Sequence, residues 1–344
     1  MKESRLMIVG LGNVGQALLQ IIRDDADFLE KRFGVRFKVV AVNDMRLGSL
    51  YDSGGLSLPA LLEGAKAGDL TSVQAEQHGW SVETMLEQAE ADTLVEASFT
   101  DLQTGEPATT YIRKALTLGK HVVTTNKGPI ALHFHELQSL AQEHGVSIGF
   151  EGTVMSGTPA MALGINLLAA AGIQRIQGIL NGTTNFILSQ METGKGYDEA
   201  LAEAQALGYA EADPTGDVEG FDAAGKVVIL SNLVMDAKIS MQEVDRKGIT
   251  QLTPQDIQTA KEQGKRWKLI GAVENIDGQI KASVQPTALP VEHPLANVGG
   301  ATNAITYTTR LLGDVTLIGA GAGRLETGYA LINDLLAIHG KTSN

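Results

Sequence analysis

A group of acidic residues and one lysine lies between Ala204 and Lys226, immediately before a strongly apolar segment. Asp222 and Lys226 are four residues apart, so on a helix their side chains would share one face. On an exposed helix they would form an ordinary surface ion pair worth about 0.3–0.5 kcal/mol. The residues that follow, 227–235, are apolar on nearly every side, which is typical of a buried helix. Because buried charges are costly unless they are paired or used, we predict a polar site where this helix begins.

This stretch carries charges of both signs, which could bind a charged substrate and move a proton. Its carboxylates could hold an ammonium group, and its lysine could stabilise a developing alkoxide or give it a proton. Reduction by hydride transfer requires such a proton donor together with a hydride donor. A turn at Asp213–Gly216 precedes the helix, which we expect to run from about 218–220 to about Asp236.

The beginning of the chain predicts a site for the hydride donor. Glycines form the pattern Gly-x-Gly-x-x-Gly between a short apolar strand, 5–9, and a helical pattern. In this setting they permit a tight turn, close approach to a pyrophosphate and close packing of helix on strand. The alternative is a glycine-rich turn that binds nothing. The residues expected to bind a dinucleotide are Gly10, Gly12, Asn13, Val14 and Gly15.

The second predicted strand, 37–42, is followed by two residues that bear on the choice of cofactor. Asp44 lies where an acid is expected to bind the ribose hydroxyls of NAD, whereas Arg46 could bind the 2′-phosphate of NADP. Both could equally be solvated turn residues. The sequence therefore leaves the choice between NAD and NADP open.

Polar residues follow two further predicted strands. Ser98 and Thr100 follow the strand 93–97, and Lys127 follows the strand 120–124. Open α/β sheets bind ligands at the carboxyl ends of their strands, so these residues are candidates to contact the cofactor. An ordinary exposed lysine is the alternative for Lys127.

Composition and charge exclude several classes of protein. The net charge is −13 and no cluster of lysine and arginine occurs, so we expect no nucleic-acid partner. The absence of cysteine excludes disulfides, thiolate metal sites and a cysteine nucleophile. No run of about 18 apolar residues and no cleavable leader is found, so we expect no membrane span and a cytoplasmic location. His133 and His135 have no cysteine or acid at ligand spacing, and no metal site is expected there.

The stretch 204–226 contains a characteristic set of residues, namely Ala204, Gly208, Tyr209, Ala210, Asp213, Pro214, Asp217, Val218, Gly220, Asp222 and Lys226. At every defined position this set resembles the signature of the homoserine dehydrogenase family. Further blocks resemble the family in the same order along nearly the whole chain, namely 104–108, 119–129, 181–188, 293–295 and 303–304.

The resemblance implies an NAD(P)-dependent oxidoreductase that interconverts L-homoserine and L-aspartate 4-semialdehyde in threonine, methionine and isoleucine biosynthesis. Two alternatives stay open at this point. One is a nicotinamide-dependent dehydrogenase acting on a related small amino or hydroxy acid. The other is a dinucleotide sensor without catalysis, since fold alone does not fix function.

The resemblance also implies roles for individual residues. Glu211 with Gly182 and Thr183 would hold the substrate amino group, and Asp217 would act with Asp222 and Lys226 around its carboxylate and hydroxyl. Lys127 and Lys226 are both candidates to transfer the proton, with Asp222 as a catalytic partner. A monovalent cation, Na⁺ or K⁺, would bind at Glu151, Val154, Ser156 and Thr158.

The sequence departs from the family at two places. Met155 replaces a glycine in the block 151–159, which puts the cation site and the fit of the cofactor in question. Glu326 replaces a proline near the end of the chain. The chain ends at Asn344, which leaves no room for a C-terminal regulatory domain, so inhibition through such a domain is not expected.

A chain of 344 residues is expected to form more than one domain. We predict an α/β protein with a Rossmann-type, doubly wound parallel sheet in residues 1–138. Residues 139–315 would form a second, α+β domain for substrate binding, catalysis and dimerisation. By resemblance, residues 316–344 would return to the nucleotide domain, and the protein would be a homodimer.

Overall fold

The computed structural model describes residues 2–340, which fall into two units. The first unit extends to Gly157 and resumes at Gly323, and the second runs from Thr158 to Ala322.

The first unit alternates strands and helices. Its strands are β1 (Lys2–Val9), β2 (Val35–Asp44), β3 (Gly48–Tyr51), β4 (Gln77–His78), β5 (Thr93–Glu96), β6 (His121–Thr124) and β7 (Ile148–Gly149). Its helices are α1 (Asn13–Asp24), α2 (Ala26–Phe33), α3 (Leu58–Ala67), α4 (Val82–Gln88), α5 (Ala108–Thr117), α6 (Lys127–Glu143) and, at the far end of the chain, α13 (Arg324–His339).

The strands form a sheet in the order β4-β3-β2-β1-β5-β6-β7, in which β2, β1, β5, β6 and β7 are parallel. Side chains of β1 alternate between the two faces. Leu6 and Ile8 join one buried cluster, whereas Met7 and Val9 join another. Both faces are therefore covered, which explains the unbroken apolar run of β1.

The C-terminal helix α13 completes one of these faces. Leu331, Ile332 and Leu335 belong to the cluster that α1 also enters. A Cβ on Gly328 would lie 2.8 Å from the Cβ of Ala17, so the glycine permits the close approach of α13 to α1.

The second unit is built on a mainly antiparallel sheet in the order β13-β12-β8-β10-β11-β9. Its strands are β8 (Ile173–Ile179), β9 (Asp245–Arg246), β10 (Lys265–Ile276), β11 (Gln279–Pro290), β12 (Thr302–Thr309) and β13 (Gly313–Ala320). Its helices are α7 (Ala160–Ala162), α8 (Gly182–Met191), α9 (Tyr197–Ala206), α10 (Thr215–Val218), α11 (Phe221–Val234) and α12 (Pro254–Glu262). The helix α11 is buried continuously from Ala223 to Asn232 and packs on β10 and β11.

The predicted fold class, an α/β chain with a doubly wound parallel sheet and a second sheet domain, is confirmed. The unit boundaries differ from the predicted borders at 138/139 and 315/316. The first lies later because β7 adds to the parallel sheet, and the second because β13 pairs with β12 along its whole length.

The structure departs in part from the turn and helix expected before Asp236. The short helix α10 forms where the turn was predicted, and the predicted helix corresponds to α11, which begins at Phe221 directly after Gly220, a residue with a left-handed backbone and φ of 80°. A second helical segment, 160–171, is irregular, because α7 is followed by a π turn, 163–167, and a 3₁₀ turn, 169–171. Here Tyr307 packs against Gly164 and donates its hydroxyl hydrogen bond to the Ala160 carbonyl, 2.7 Å away.

Candidate functional site

Asn181 organises a polar cluster at the start of α8. It is the N-cap of this helix, and its Oδ1 accepts a hydrogen bond from the Thr184 amide at 2.9 Å. Its Nδ2 donates to Asp217 Oδ1 at 2.6 Å and to Asp222 Oδ2 at 3.0 Å. One amide therefore fixes the end of a helix and joins two carboxylates. From the sequence, Asn181 was placed only in the family-like block 181–188 and was given no role of its own, although an asparagine before a helical pattern is a recognisable cap.

Lys226 completes this cluster. Its ammonium donates to Asp222 Oδ2 at 2.7 Å and to the Leu180 carbonyl at 2.6 Å. The residue is 7% exposed, so the surface-pair interpretation of Asp222 and Lys226 does not describe this pair. The lysine is held in one orientation by two acceptors on different elements.

The cluster contains more negative than positive charge. Burial raises the pKa of the Asp217 carboxyl, and the neighbouring Asp222 raises it further. The hydrogen bond from Asn181, the nearby Thr183 hydroxyl and the charge of Lys226 act in the opposite direction. A second cation beside Asp217 would stabilise its ionised form, and the site is therefore suited to an ammonium group.

The other predicted substrate residues lie nearby in the chain but are held differently. Thr183 Oγ1 donates to the Tyr209 carbonyl at 2.6 Å, which ties the first turn of α8 to the segment after α9. Glu211 is exposed, and its carbonyl accepts a hydrogen bond from Gln205 Nε2 at 3.1 Å. Within residues 2–340, no hydrogen bond joins the Glu211 carboxylate to the cluster.

In the first unit, the three glycines of the N-terminal loop have different surroundings. Gly10 has φ of 93°, and a Cβ there would lie 2.4 Å from the Ala97 carbonyl oxygen. A Cβ on Gly15 would lie 2.3 Å from the Gly10 oxygen, whereas a Cβ on Gly12 would meet nothing within 4 Å. The outer glycines are thus required for packing, and Gly12 faces open space. This is the arrangement expected where backbone must approach a pyrophosphate.

Asp44 braces the same loop. Its Oδ2 accepts a hydrogen bond from the Leu11 amide at 2.8 Å, and its Oδ1 accepts from the amides of Arg46 at 2.9 Å and Leu47 at 3.1 Å. The carboxylate is therefore oriented from two sides. Arg46 is exposed.

A cavity of about 870 Å³ lies beside this loop. Its size is in the range of small-molecule and cofactor sites. Five predicted cofactor residues are among those that line it, namely Gly10, Gly12, Asp44, Arg46 and Ser98. The predicted residues that do not line it are Asn13, Val14, Gly15, Thr100 and Lys127.

Glu96 supports the rim of the cavity and was missed in the sequence analysis. It is fully buried at the end of β5, where it accepts hydrogen bonds from the Ser98 amide at 3.0 Å and from Thr124 Oγ1 at 3.1 Å. Burial raises the pKa of this carboxyl, whereas the hydrogen bonds from Ser98 lower it. An acid inside an otherwise apolar parallel strand was the available signal.

Lys127 is the first residue of α6, and its neighbours fix where that helix begins. Asn126 caps the helix by accepting from the Gly128 amide at 3.1 Å, and its Nδ2 donates to the Phe99 carbonyl at 2.9 Å. The lysine is half-buried, at the carboxyl end of β6. It belongs to the first unit, whereas Lys226 belongs to the second.

One of the predicted cation residues, Glu151, lies beside a second buried acid, Asp334. Glu151 is buried, and its amide donates to Asp334 Oδ2 at 2.9 Å. Burial raises the pKa of Asp334 to about 8, and the Glu151 charge acts in the same direction. A bound cation would stabilise the ionised forms of two adjacent buried acids. Within residues 2–340, no group of three or more His, Cys, Asp or Glu side chains has metal-binding geometry. Among these described residues, His133 and His135 therefore belong to no such group.

The backbone after Glu151 explains why a glycine is expected at position 155. Met155 and Ser156 both have left-handed backbones, with φ of 59° and 54°. Residues other than glycine adopt this conformation at a cost of about 1–2 kcal/mol each. Ser156 lies 2.7 Å, Oγ to Oγ1, from Thr327 in the first unit, while Thr158 lies in the second unit and donates to the Ala320 carbonyl at 2.9 Å.

Comparison with known proteins extends these observations. A family model described as homoserine dehydrogenase matches residues 159–336, and one described as the NAD binding domain of homoserine dehydrogenase matches residues 10–151. The NAD(+)-dependent homoserine dehydrogenase of Pseudomonas canavaninivorans is 48% identical, over 98% of this chain and 97% of its own. The homoserine dehydrogenase of Methanocaldococcus jannaschii is 39% identical, over 98% of this chain and 99% of its own.

Solved structures give the same result. A homoserine dehydrogenase from Thiobacillus denitrificans is 35% identical with a TM-score of 0.86, covering 98% of this chain and 74% of its own. A hyperthermophilic archaeal homoserine dehydrogenase mutant in complex with NADPH is 33% identical with a TM-score of 0.83, covering 98% of this chain and 97% of its own. Within residues 2–340, no helix is long and apolar enough to cross a membrane. The chain therefore belongs to the homoserine dehydrogenase family of NAD(P)-binding oxidoreductases.

Proposed function

We propose that this chain catalyses the reversible, NAD(P)-dependent interconversion of L-homoserine and L-aspartate 4-semialdehyde. The observation that carries the proposal is the buried cluster of Asn181, Asp217, Asp222 and Lys226. It brings two carboxylates and one fixed ammonium together, which suits a substrate that carries an ammonium, a carboxylate and a reacting hydroxyl. The nicotinamide, when bound, supplies or accepts the hydride.

In this proposal the acidic side of the cluster binds the substrate ammonium. Asp217 gains a cation that offsets the effect of its burial, and Glu211 with Gly182 and Thr183 completes the binding of the amino group. Asp222 belongs to the same acidic side, and its hydrogen bond to Lys226 also fixes the position of the lysine.

Lys226 is the better supported of the two lysines as the group that moves the proton. An ammonium has three N–H donors, and two are used by Asp222 and the Leu180 carbonyl. Within residues 2–340 the third has no hydrogen-bond acceptor, so it can donate to the substrate oxygen. In the direction of aldehyde reduction the lysine stabilises the developing alkoxide and gives it a proton, and in the reverse direction it takes the proton back. Lys127, in the first unit, is assigned to contact with the cofactor and stays the second candidate for proton transfer.

For the cofactor, we propose a preference for NAD over NADP. Asp44 is fixed by three main-chain amides at the edge of the cavity, and its carboxylate would accept hydrogen bonds from ribose hydroxyls while repelling a 2′-phosphate. The exposed Arg46 would allow some use of NADP. Gly10, Gly12 and Gly15 shape the loop, and Asn13 with Val14 begins the helix whose N-terminus would face the pyrophosphate.

We also propose a monovalent cation site and a homodimer. A monovalent cation at Glu151, with the main chain of Val154 and Ser156, would offset the charge of two adjacent acids. The second unit would pair with its copy to form a homodimer. Size-exclusion chromatography with light scattering, and activity measured in Na⁺, K⁺ and tetramethylammonium salts, test these two points.

The experiment that tests the main proposal is a spectrophotometric assay with L-homoserine and either NAD⁺ or NADP⁺. Formation of reduced nicotinamide by the wild type is expected with both cofactors and faster with NAD⁺. Lys226→Ala should lower kcat by about 10²–10⁴ while folding normally. Near-normal kcat in both Lys226→Ala and Lys127→Ala would contradict the assignment of the proton-transferring group. Lack of turnover by a wild type that binds NAD⁺ would favour a different small amino or hydroxy acid as substrate.

A further inference from the structure

Asn303 is a buried polar residue that the proposed mechanism does not use. It lies on β12 and is 0% exposed, and within residues 2–340 neither its Oδ1 nor its Nδ2 has a hydrogen-bond partner. A buried amide without partners keeps the full cost of leaving water. Such a group calls for a physical explanation, because most buried side-chain polar atoms in native proteins are paired.

The position of this amide gives the explanation. A Cβ on Gly321 would lie 2.0 Å from Asn303 Cγ, so the amide lies directly against the Gly321 main chain. A Cβ on Gly182 would lie 3.5 Å from Asn303 Oδ1. Gly182 is the first residue of α8 and follows Asn181, which joins both carboxylates of the cluster. The unpaired amide is thus inserted between two glycine segments, one of which begins the helix that Asn181 caps.

The chemistry of these segments matches that of an amide. The first N–H groups of a helix have no acceptor within the helix, and Asn303 Oδ1 is an acceptor. The carbonyls of a glycine-rich strand end can accept from Nδ2. At neither glycine is there space for a side chain, since a Cβ on Gly182 would also lie 2.6 Å from the Ala301 carbonyl oxygen. A small movement of main chain, rather than of side chains, would complete the hydrogen bonds.

We propose that Asn303 is a positioning residue, whose amide hydrogen-bonds to the main chain at Gly182 and Gly321 when substrate binds and so fixes the start of α8 in the reactive arrangement. This inference rests on the proposed function. The residue does not touch the reacting atoms, and it acts through Asn181 and the carboxylates that Asn181 holds. The free enzyme bears the cost of the unpaired amide, and the substrate complex recovers it.

The test is Asn303→Leu, which keeps the shape and removes both polar atoms. The free variant should be more stable, with Tm raised by a few degrees, because an unpaired amide is replaced by an apolar group. Its kcat with L-homoserine should fall about 10–100-fold, since small errors in position are costly in catalysis. Its Kd for NAD⁺, measured by fluorescence titration, should stay within about twofold of the wild type, because the dinucleotide residues lie in the first unit.

Thr306→Val is the matched control on the same strand. It removes a buried hydroxyl that is paired with Thr316 at 2.8 Å, so Tm should fall while kcat is unchanged. If Asn303→Leu does not fold, Asn303→Ala should show the same loss of kcat with a lower Tm. Unchanged kcat in a folded Asn303 variant, or a lower Tm for Asn303→Leu, would overturn the inference. Absence of turnover by the wild type would instead contradict the proposed function.

Discussion

The replacement Asn181→Asp separates the two jobs of this residue. Aspartate is as good an N-cap as asparagine, so the bond to the Thr184 amide is kept. The donor to Asp217 and Asp222 is lost, and a third carboxylate takes its place beside them. Asn181→Ala is the companion variant, because it removes both the cap and the donor without adding a charge.

The magnitude follows from the two hydrogen bonds. A hydrogen bond to a charged group contributes about 1.5–3 kcal/mol, and those to Asp217 and Asp222 are 2.6 Å and 3.0 Å long. Since such contributions are not additive, we expect Asn181→Asp to lower the free energy of unfolding by about 2–5 kcal/mol at pH 8. The variant carboxyl, like Asp217, would have its pKa raised by burial and by its neighbours. The folded state would then bind more protons than the unfolded state, so stability is regained as pH falls toward the unfolded-state pKa of about 4.

The assay is urea unfolding at pH 5.5 and 8.5, together with kcat/KM for L-homoserine. Destabilisation by Asn181→Asp should be clearly larger at pH 8.5 than at pH 5.5, and Asn181→Ala should show a weaker dependence on pH. Both variants should lose at least about 100-fold in kcat/KM, which corresponds to about 2.7 kcal/mol. Equal destabilisation of the two variants at both pH values would refute the view that Asn181 links the charges of this cluster.

Four further outcomes are expected. Lys226→Met should lower kcat by about 10²–10⁴ in the homoserine assay with the Kd for NAD⁺ unchanged. Arg46→Ala should lower kcat/KM for NADP⁺ relative to NAD⁺, and an unchanged ratio would remove the arginine from cofactor choice. Gly12→Ala should fold with normal Tm but bind NAD⁺ more weakly, because a Cβ at Gly12 meets nothing within 4 Å. Gly10→Ala should be strongly destabilised, because a Cβ at Gly10 would lie 2.4 Å from main chain. Burial lowers the pKa of Lys268 to about 8, so in urea unfolding the wild type should gain about 3 kcal/mol relative to Lys268→Met between pH 8 and pH 10.5.

The sequence identified elements whose signal is local. The pattern at Gly10, Gly12 and Gly15 needs only a few neighbouring residues to be recognised, and so does the pairing of Asp222 with Lys226 four residues later. The unbroken apolar runs of the parallel strands are equally local. These features predicted the fold class and the start of α11.

The residues that were missed depend on partners far away in the chain. Asn181 meets Asp217, 36 residues later, and Glu96 meets Thr124, 28 residues later. Asp334 contacts Glu151 across 183 residues. Local signals mark Asn181 as a helix cap and Glu96 as an acid in an apolar strand, but they do not show which distant residues these side chains meet. Strands β12 and β13 were not predicted either. In β13 the exposure of the side chains is mixed and does not alternate clearly, so its sequence gives no clear indication of a strand.

The first unit is made of two separate pieces of chain, and this has a consequence for biogenesis. The last helix, α13, supplies Leu331, Ile332 and Leu335 to the core around α1, and Asp334 to the Glu151 amide. During translation these residues leave the ribosome after the whole of the second unit, 158–322, which is continuous and can complete its sheet earlier. The cofactor-binding portion, although synthesised first, is therefore expected to mature last. Until then it exposes an apolar face, and this is the interval in which a chaperone or a protease would find the chain.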